Sequence, residues 1–332
     1  MLKETKDIYS DEILYEALTR FGGDKDNVKD IGGFEAFVYE ATINDKKYIL
    51  KITHTIRRSV NYLMGELDYV NYLASHGVPT SKAVESVNGN FVESIDASDG
   101  GKFLAYLFEK AEGEISTKES RTDEIIQTWG QVSGLMNRLA AGYKPSKPEY
   151  KRQIWYEDDV YEFDKHLTGE DAELIPLCHQ ILDEVKTLPQ TKETFGMIHG
   201  DLHQGNFFIN KGQVLPFDFD DCEYGYYMND IAMPYYYGGG LFKVMDDDAV
   251  GYAENFLSQF LKGYQKEFSV PKEIFLQMPE FLRVRAMILY IILNQAWVGD
   301  MRDDEKNELI IKFRRHTTGE QIPFEIDYSK FL

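Results

Sequence analysis

One segment, from Met197 to Asp221, constrains the fold of this chain more than any other. It reads MIHGDLHQGNFFINKGQVLPFDFDD and places histidine, asparagine and aspartate side chains between apolar runs. Such polar groups are costly to bury unless they have hydrogen-bonding, charged or metal partners. The segment therefore predicts a fold in which these side chains hold metal and phosphate.

The spacing of the polar residues in this segment matches phosphoryl-transfer chemistry. That chemistry needs a phosphate cradle, a lysine, a divalent metal on hard oxygen ligands and an acceptor for the hydroxyl proton. Asp201 and Asn206 are separated by four residues, as in the catalytic loop of kinases. Asp218 follows Asn206 by twelve residues, after the apolar run VLPF. Two short strands joined by the turn NKGQ would bring Asn206 and Asp218 together on one metal ion.

The part of the chain before this segment predicts a small antiparallel sheet with helices. DEILYEALTRF is predicted to be a helix, INDKKY a tight turn between two strands, and KYILKI the third strand. Residues 57–76 have helical periodicity, and Glu66 lies against the apolar face of that helix. KAVESVNGNFVESI predicts a hairpin that turns at Asn88–Gly89.

The second half of the chain is predicted to be mainly helical. Helical periodicity dominates from about Glu124, and Ala286–Trp297 is apolar on nearly all sides, as expected of a central helix. The fold class that follows is α+β.

The order and spacing of these motifs resemble the aminoglycoside phosphotransferase family, a branch of the protein-kinase-like superfamily. The strongest matches are HGDLHQGN, FDFDD and YGYYMNDIA. The resemblance implies a two-lobed protein-kinase-like fold. Residues 1–109 would form the N-lobe, an antiparallel sheet with a helix that binds nucleotide. Residues 110–332 would form a larger, mainly helical C-lobe with an inserted helical segment near 146–190.

The resemblance also implies roles for individual residues. Asp201 would be the catalytic base, and Asn206 and Asp218 would hold magnesium. Lys51 would bind the phosphates of ATP or GTP, in an ion pair with Glu66.

Further roles are implied around these residues. Asp230 would brace the catalytic loop, and His203 would donate a hydrogen bond to the transferred phosphate. The loop IGGFEAF departs from the family because it lacks a full G-x-G-x-x-G pattern and carries Glu35 near the phosphate path. The remaining implied nucleotide contacts are Gly32, Gly33, Glu109 and Ala111.

Composition limits the class of partner. A net charge of −20 disfavours nucleic acid and anionic lipid. It would attract a cationic substrate, although solubility alone explains such a charge equally well. The chain has only two cysteines, so we do not expect a disulfide framework. We expect the protein to work in a reducing cytoplasm. The N-terminus has no apolar signal core, and the longest apolar run is too short to cross a bilayer. A monomer or a homodimer is expected.

The main hypothesis is an ATP- or GTP-dependent kinase that phosphorylates a hydroxyl of a small, amino-bearing molecule. One alternative is a bacterial stress-type protein Ser/Thr kinase, although the segment between FDFDD and NDIA is short. Another is a nucleotide-binding regulator with little catalysis, suggested by the irregular phosphate loop.

A zinc hydrolase is the most distant alternative. It would use His199, Asp201 and His203, which share one face if they lie on a strand. A structural His199, bonded to backbone, is favoured over this hypothesis. Asp220 and Asp221 are expected to be solvated acids or helix caps rather than metal ligands.

Overall fold

The computed structural model describes residues 3–33, 36–240, 249–321 and 326–332, and the chain divides into two compact units. The first unit contains the chain up to Glu114 together with residues 144–152 and 215–220. The second contains Ile115–Tyr143, Gln153–Val214 and the chain from Asp221 onward. Each unit is thus built from segments that are distant in the sequence. Glu35 lies outside the described residues.

Among its described residues, the first unit contains an antiparallel sheet and three α-helices. The helices are α1 (Lys3–Ile8), α2 (Asp11–Arg20) and α3 (Val60–Ser75). The strands are β1 (Val28–Asp30), β2 (Phe37–Ile43), β3 (Lys46–His54), β4 (Ala83–Val84), β5 (Val92–Asp96) and β6 (Lys102–Glu109). The sheet order is β1-β2-β3-β6-β4, and β5 also pairs with β6.

Side-chain alternation along β3 separates the core of the first unit from its polar residues. Leu50 and Ile52 are buried in an apolar cluster with Leu14 and Leu18 of α2. Successive residues of a strand point to opposite faces, so Lys51 lies on the other face of the sheet. The predicted third strand is confirmed, and it presents Lys51 away from the cluster that α2 covers.

The predicted turn at Asn88–Gly89 is present, since the amide of Ser86 donates to the backbone oxygen of Asn90 at 2.8 Å, but the predicted pairing of the strands on either side was wrong. β4 and β5 both pair with β6, with Ala83 opposite Phe108 and Val92 opposite Tyr106. Strand β6 is buried along nearly its whole length, so both short strands gain more apolar contact beside it than beside each other.

The second unit is mainly helical, as predicted. Its helices are α4 (Asp123–Ala140), α5 (Phe163–His166), α6 (Ile175–Lys186), α7 (Asn229–Gly238), α8 (Ala249–Tyr264), α9 (Lys272–Phe275), α10 (Met278–Ala296) and α11 (Asp304–Thr318). The remaining strands are β7 (Glu114–Ile115), β8 (Phe195–Ile198), β9 (Phe207–Asn210), β10 (Gln213–Pro216) and β11 (Glu223–Tyr226). Strands β8 and β11 form an antiparallel pair. No helix among the described residues is both long and apolar enough to cross a membrane.

Helices α4 and α8 cross at glycines, which lets their backbones come into direct contact. A Cβ atom on Gly130 would lie 1.9 Å from the carbonyl oxygen of Phe260, far inside van der Waals contact. A Cβ atom on Gly263 would lie 1.8 Å from the carbonyl oxygen of Gln127. Any side chain at these positions would force the helices apart.

We expect Gly130→Ala to lower the free energy of unfolding by about 1–3 kcal/mol, because the overpacking outweighs the better helix propensity of alanine. Urea-induced unfolding of the two proteins measures the difference. Gly142→Ala is the matched control, since the nearest atom to a Cβ there is 3.8 Å away. Equal unfolding midpoints for the two variants would contradict the close-packing argument.

Candidate active site

The segment from His199 to Asn206 connects β8 to β9 and carries most of the predicted catalytic residues. Gly200 has φ +80°, a conformation that side chains rarely adopt. A Cβ atom there would also lie 2.7 Å from the backbone oxygen of Asp221. Glycine is therefore required at this point for the loop to turn beside Asp221.

Asp230 of α7 fixes the start of this loop. Its Oδ2 accepts hydrogen bonds from the backbone amide of His199 at 3.2 Å and from Asn137 Nδ2 at 2.8 Å. Its Oδ1 accepts one from the amide of Gly200 at 3.1 Å. Burial raises the pKa of Asp230 to about 6, although these three donors oppose the shift. The predicted brace is present, and the Tyr264 hydroxyl supports it by donating to Asn137 Oδ1 at 2.8 Å.

The side chain of Asn206 contacts Asp201 within the loop, an interaction that sequence reasoning did not predict. Asn206 Nδ2 donates to the backbone oxygen of Asp201 at 2.9 Å and to its Oδ2 at 3.2 Å. Because the amide nitrogen is used in this way, Asn206 Oδ1 is the atom suited to a metal ion. His203 Nε2 lies 3.5 Å from Asp201 Oδ2. His199 is 1% exposed, and its Nδ1 accepts from the amide of Asp201 at 3.3 Å, so the structural role favoured for it is confirmed.

Arg285 of α10 also contacts Asp201, and sequence reasoning missed it. Its Nη2 lies 3.0 Å from Asp201 Oδ1 and 2.6 Å from the Tyr237 hydroxyl. Burial opposes charge on Arg285, but the nearby Tyr237 and Asp201 hold its pKa above the ordinary value. The available signal was a guanidinium inside the apolar run LRVRAMILYIIL, since a charge in such a helix needs a partner.

Lys51 and Asp218 form an ion pair within the first unit. Lys51 Nζ lies 2.5 Å from Asp218 Oδ1. Burial alone would lower the pKa of Lys51, but the carboxylate of Asp218 and other neighbouring groups hold it well above its usual range. Asp218 has φ +64°, a strained conformation for a residue with a side chain. Such strain is concentrated at functional sites, where it directs a side chain that regular backbone would turn elsewhere.

The ion pair predicted between Lys51 and Glu66 is not formed, because Lys51 pairs with Asp218. Glu66 is completely buried on α3, and neither of its carboxylate oxygens has a hydrogen-bond partner among the described residues. Burial raises the pKa of Glu66 to about 7, although the positive charge of Lys51 opposes the shift. Glu66 and Lys51 therefore attract each other by long-range electrostatics and not through a direct ion pair.

Asp220 is neither a solvated acid nor a helix cap, contrary to expectation. Its side chain is only 15% exposed, and its Oδ2 lies 2.9 Å from Arg57 Nη2. Burial raises the pKa of Asp220, but Arg57, Lys51 and other cations outweigh burial and lower it. Arg152 donates to the backbone oxygens of Tyr62 and Asp220. These bonds tie α3 to the strand end that carries Asp218.

The remaining predicted nucleotide contacts lie in the first unit. Gly32 and Gly33 follow β1, and the amide of Gly32 donates to Asp30 Oδ1 at 2.8 Å. Glu109 is the last residue of β6, and Ala111 lies just beyond it. Among the described residues, these four form no hydrogen bond or ion pair with Lys51 or Asp218. Their roles in nucleotide binding therefore stay predictions.

The two predicted magnesium ligands carry oxygen donors. Throughout the described residues, no group of three or more His, Cys, Asp or Glu side chains could hold a metal ion. Asn206, in the second unit, has an amide oxygen, and Asp218, in the first unit, has a carboxylate. Such hard oxygen ligands suit a divalent ion that keeps several waters or phosphate oxygens.

The chain is similar in sequence to known phosphotransferases. A family model described as phosphotransferase enzyme family matches residues 28–270. Amicoumacin kinase of Bacillus subtilis (strain 168) is 35% identical over 314 residues, which cover 94% of each chain.

Two solved structures are similar to the whole chain. Amicoumacin kinase hAmiN in complex with AMP-PNP, Ca²⁺ and Ami has a TM-score of 0.95 at 31% identity and covers 100% of both chains. A microcompartment-associated aminopropanol kinase has a TM-score of 0.74 at 17% identity, with 95% of this chain and 100% of that chain covered. The second likeness concerns the fold alone.

The buried carboxyl of Glu66 makes stability depend on pH. The pKa of Glu66 is about 7 in the folded protein and 4.5 for an ordinary glutamate. The free energy of unfolding therefore includes a favourable contribution at low pH, which is lost as pH rises from the lower to the higher of these values. We expect Glu66→Gln to lose less free energy of unfolding between pH 5 and pH 8 than the parent protein. Urea unfolding at both pH values measures this difference.

Glu308→Gln, at an exposed position of α11, is the control for a changed glutamate. It should follow the parent at both pH values. The interpretation of Glu66 fails if Glu66→Gln and the parent lose the same free energy between pH 5 and pH 8.

Proposed function

Because the chain belongs to the phosphotransferase enzyme family and is a small-molecule kinase with a hydroxyl acceptor, we propose that it transfers the γ-phosphate of ATP to amicoumacin or a closely related amino-bearing compound. The observation that carries this proposal is the similarity to amicoumacin kinase along almost the whole chain. A relationship confined to the nucleotide-binding part would support a kinase without indicating its acceptor. Here the similarity extends through the second unit as well.

In the proposed reaction, Asp201 acts on the acceptor hydroxyl. Its carboxylate takes the hydroxyl proton while the acceptor oxygen bonds to the γ-phosphorus. The bond between that phosphorus and the bridging oxygen breaks, and ADP leaves with the bonding electrons. His203, next to Asp201 Oδ2, donates a hydrogen bond to the transferred phosphoryl group.

The nucleotide is proposed to bind through the residues that match the family motifs. Lys51 would bind phosphate, and Asn206 and Asp218 would each supply an oxygen to magnesium. A magnesium ion held by these two residues would supply positive charge that offsets the phosphate charge during transfer. The complex of a relative with AMP-PNP and Ca²⁺ supports ATP and a divalent ion. The remaining proposed nucleotide contacts are Glu66, Gly32, Gly33, Glu109 and Ala111.

The acidic character of the chain supports an acceptor that carries an amino group. A net charge of −20 raises the local concentration of cations near the surface.

The cysteines are consistent with the expected compartment. Both Cys178 and Cys222 are buried thiols, which suits a reducing cytoplasm.

We expect Asp201→Asn to lower turnover by about 100- to 10,000-fold, because the general base is lost. Nucleotide affinity should stay within about twofold, since the amide has the size of the carboxylate. Coupled measurement of ADP release gives turnover, and a nucleotide titration gives affinity. The assay uses ATP and GTP with magnesium against amicoumacin, choline, ethanolamine, hydroxylysine and a generic protein substrate.

Asp183→Asn is the control, because that carboxylate lies on α6 and is 70% exposed. It should have the turnover of the parent. Normal turnover in Asp201→Asn would remove Asp201 as the base. Turnover with the protein substrate but with none of the small hydroxyl compounds would refute the proposed acceptor class.

We expect Lys51→Met to reduce turnover by at least about 100-fold, since methionine keeps the length of the side chain but removes the charge on the phosphates. Lys46→Met is the matched control, because Lys46 is an exposed residue of the same strand. Steady-state kinetics with saturating acceptor compares the two variants. Similar rates in both would contradict the assignment of Lys51.

A further inference from the structure

Arg285 is an unusual residue for its helix. Helix α10 buries apolar side chains along most of its length, including Val284, Ala286 and Met287 on either side of Arg285. The Arg285 side chain is nevertheless only 18% exposed. Keeping a guanidinium there costs desolvation energy that a leucine would not, so its contacts indicate its role.

The contacts of Arg285 join it to the proposed base. Its Nη2 donates to Asp201 Oδ1 at 3.0 Å, and the same atom donates to the Tyr237 hydroxyl at 2.6 Å. The guanidinium carbon lies 5.2 Å from the centroid of the Tyr237 ring. Arg285 is thus fixed both by the tyrosine of α7 and by the carboxylate of the catalytic loop.

Tyr237 in turn contacts the second functional side chain of the loop. Its ring centroid lies 5.1 Å from that of His203. His203 Nε2 lies 3.5 Å from Asp201 Oδ2, and its Nδ1 accepts from the amide of Gly205 at 2.9 Å. The side chains of Asp201, Arg285, Tyr237 and His203 therefore close a ring of contacts. Three separate elements contribute to this ring, namely the catalytic loop, α7 and α10.

We infer that Arg285 is the positioning residue of the base: it holds Oδ1 of Asp201 so that Oδ2 is the oxygen presented to the acceptor hydroxyl. The two oxygens of a carboxylate are chemically equivalent, so the groups bound to each oxygen decide which one is presented to a substrate. Arg285 occupies Oδ1, whereas Oδ2 lies on the side of Asn206 and His203. Misplacing a catalytic group by about 1 Å costs on the order of 100-fold in rate. This inference rests on the proposed function, because it takes Asp201 as the base.

A purely structural role is the competing explanation. Arg285 would then only join α10 to α7 through Tyr237, and its loss would weaken the whole second unit. Arg283 provides the comparison, since it lies on the same helix and is exposed to a similar degree, 22%. It contacts Glu280 and the backbone of Thr317 rather than Asp201.

The test compares Arg285→Gln, Arg285→Lys, Arg283→Gln and Asp201→Asn with the parent enzyme. For each we would measure kcat and KM with ATP, magnesium and the acceptor, and nucleotide affinity by titration. Arg285→Gln should lower kcat on the order of 100-fold and leave nucleotide affinity within about twofold. Arg285→Lys should recover at least about tenfold of that loss, because an ammonium can still bind Oδ1. Arg283→Gln should stay within about twofold of the parent.

Several results would overturn the inference. One is an equal kcat for Arg285→Gln and Arg283→Gln. Another is a nucleotide affinity of Arg285→Gln that falls in proportion to its kcat. The third is a kcat of Arg285→Lys that is no higher than that of Arg285→Gln. If Arg285→Gln does not fold, Tyr237→Phe decides, since it removes one anchor of Arg285 and leaves the ion pair. Its kcat should fall several-fold at unchanged nucleotide affinity, and an unchanged kcat would refute the inference.

The same experiment separates this inference from the proposed function. An inactive Asp201→Asn beside a fully active Arg285→Gln would leave the proposed function standing and remove the role of Arg285. A fully active Asp201→Asn would remove the base, and the inference with it.

Discussion

The buried carboxylate of Asp230 is the constraint on which the catalytic loop depends. A carboxylate inside a protein is unfavourable unless donors surround it, and Asp230 has the backbone amides of His199 and Gly200 and the side chain of Asn137. The amides reach it only if the loop turns at Gly200, which is why that residue has positive φ. The positions of Asp201 and of everything that follows it in the loop are consequences of this arrangement.

Each unit solves the problem of buried charge in its own way. In the second unit, Asp201 is bound by Arg285, so that the proposed base and its partner offset each other. In the first, Lys51 binds Asp218, and Asp220 is held by arginines. Glu66 is the exception, because it is completely buried and no hydrogen-bond partner for it lies in the part of the chain that the structure describes. An uncompensated carboxyl of this kind takes up a proton near neutral pH, which agrees with its raised pKa.

The errors of sequence reasoning share one physical cause. The segment KAVESVNGNFVESI has the local chemistry of a hairpin, but β6 offers both of its strands a more apolar neighbour. Asp220 lies in a run of acidic residues that suggests a surface position. In the structure, Arg57 binds its carboxylate and Arg152 binds its backbone oxygen, and both arginines are distant from it in sequence. In each case a partner remote in sequence outweighed a local preference. Neither sequence periodicity nor a short motif indicates which remote residue will contact a given side chain.

The sequence by itself determined the α+β class and the third strand with Lys51, because periodicity and short spacing act within a few turns of chain. It also carried the motifs that identify the family. Only the tertiary structure decided that Lys51 binds Asp218 instead of Glu66, and that Arg285 lies against Asp201. Charged side chains choose among all the partners that folding brings within reach. That choice depends on distance and burial in three dimensions, which the order of residues does not specify.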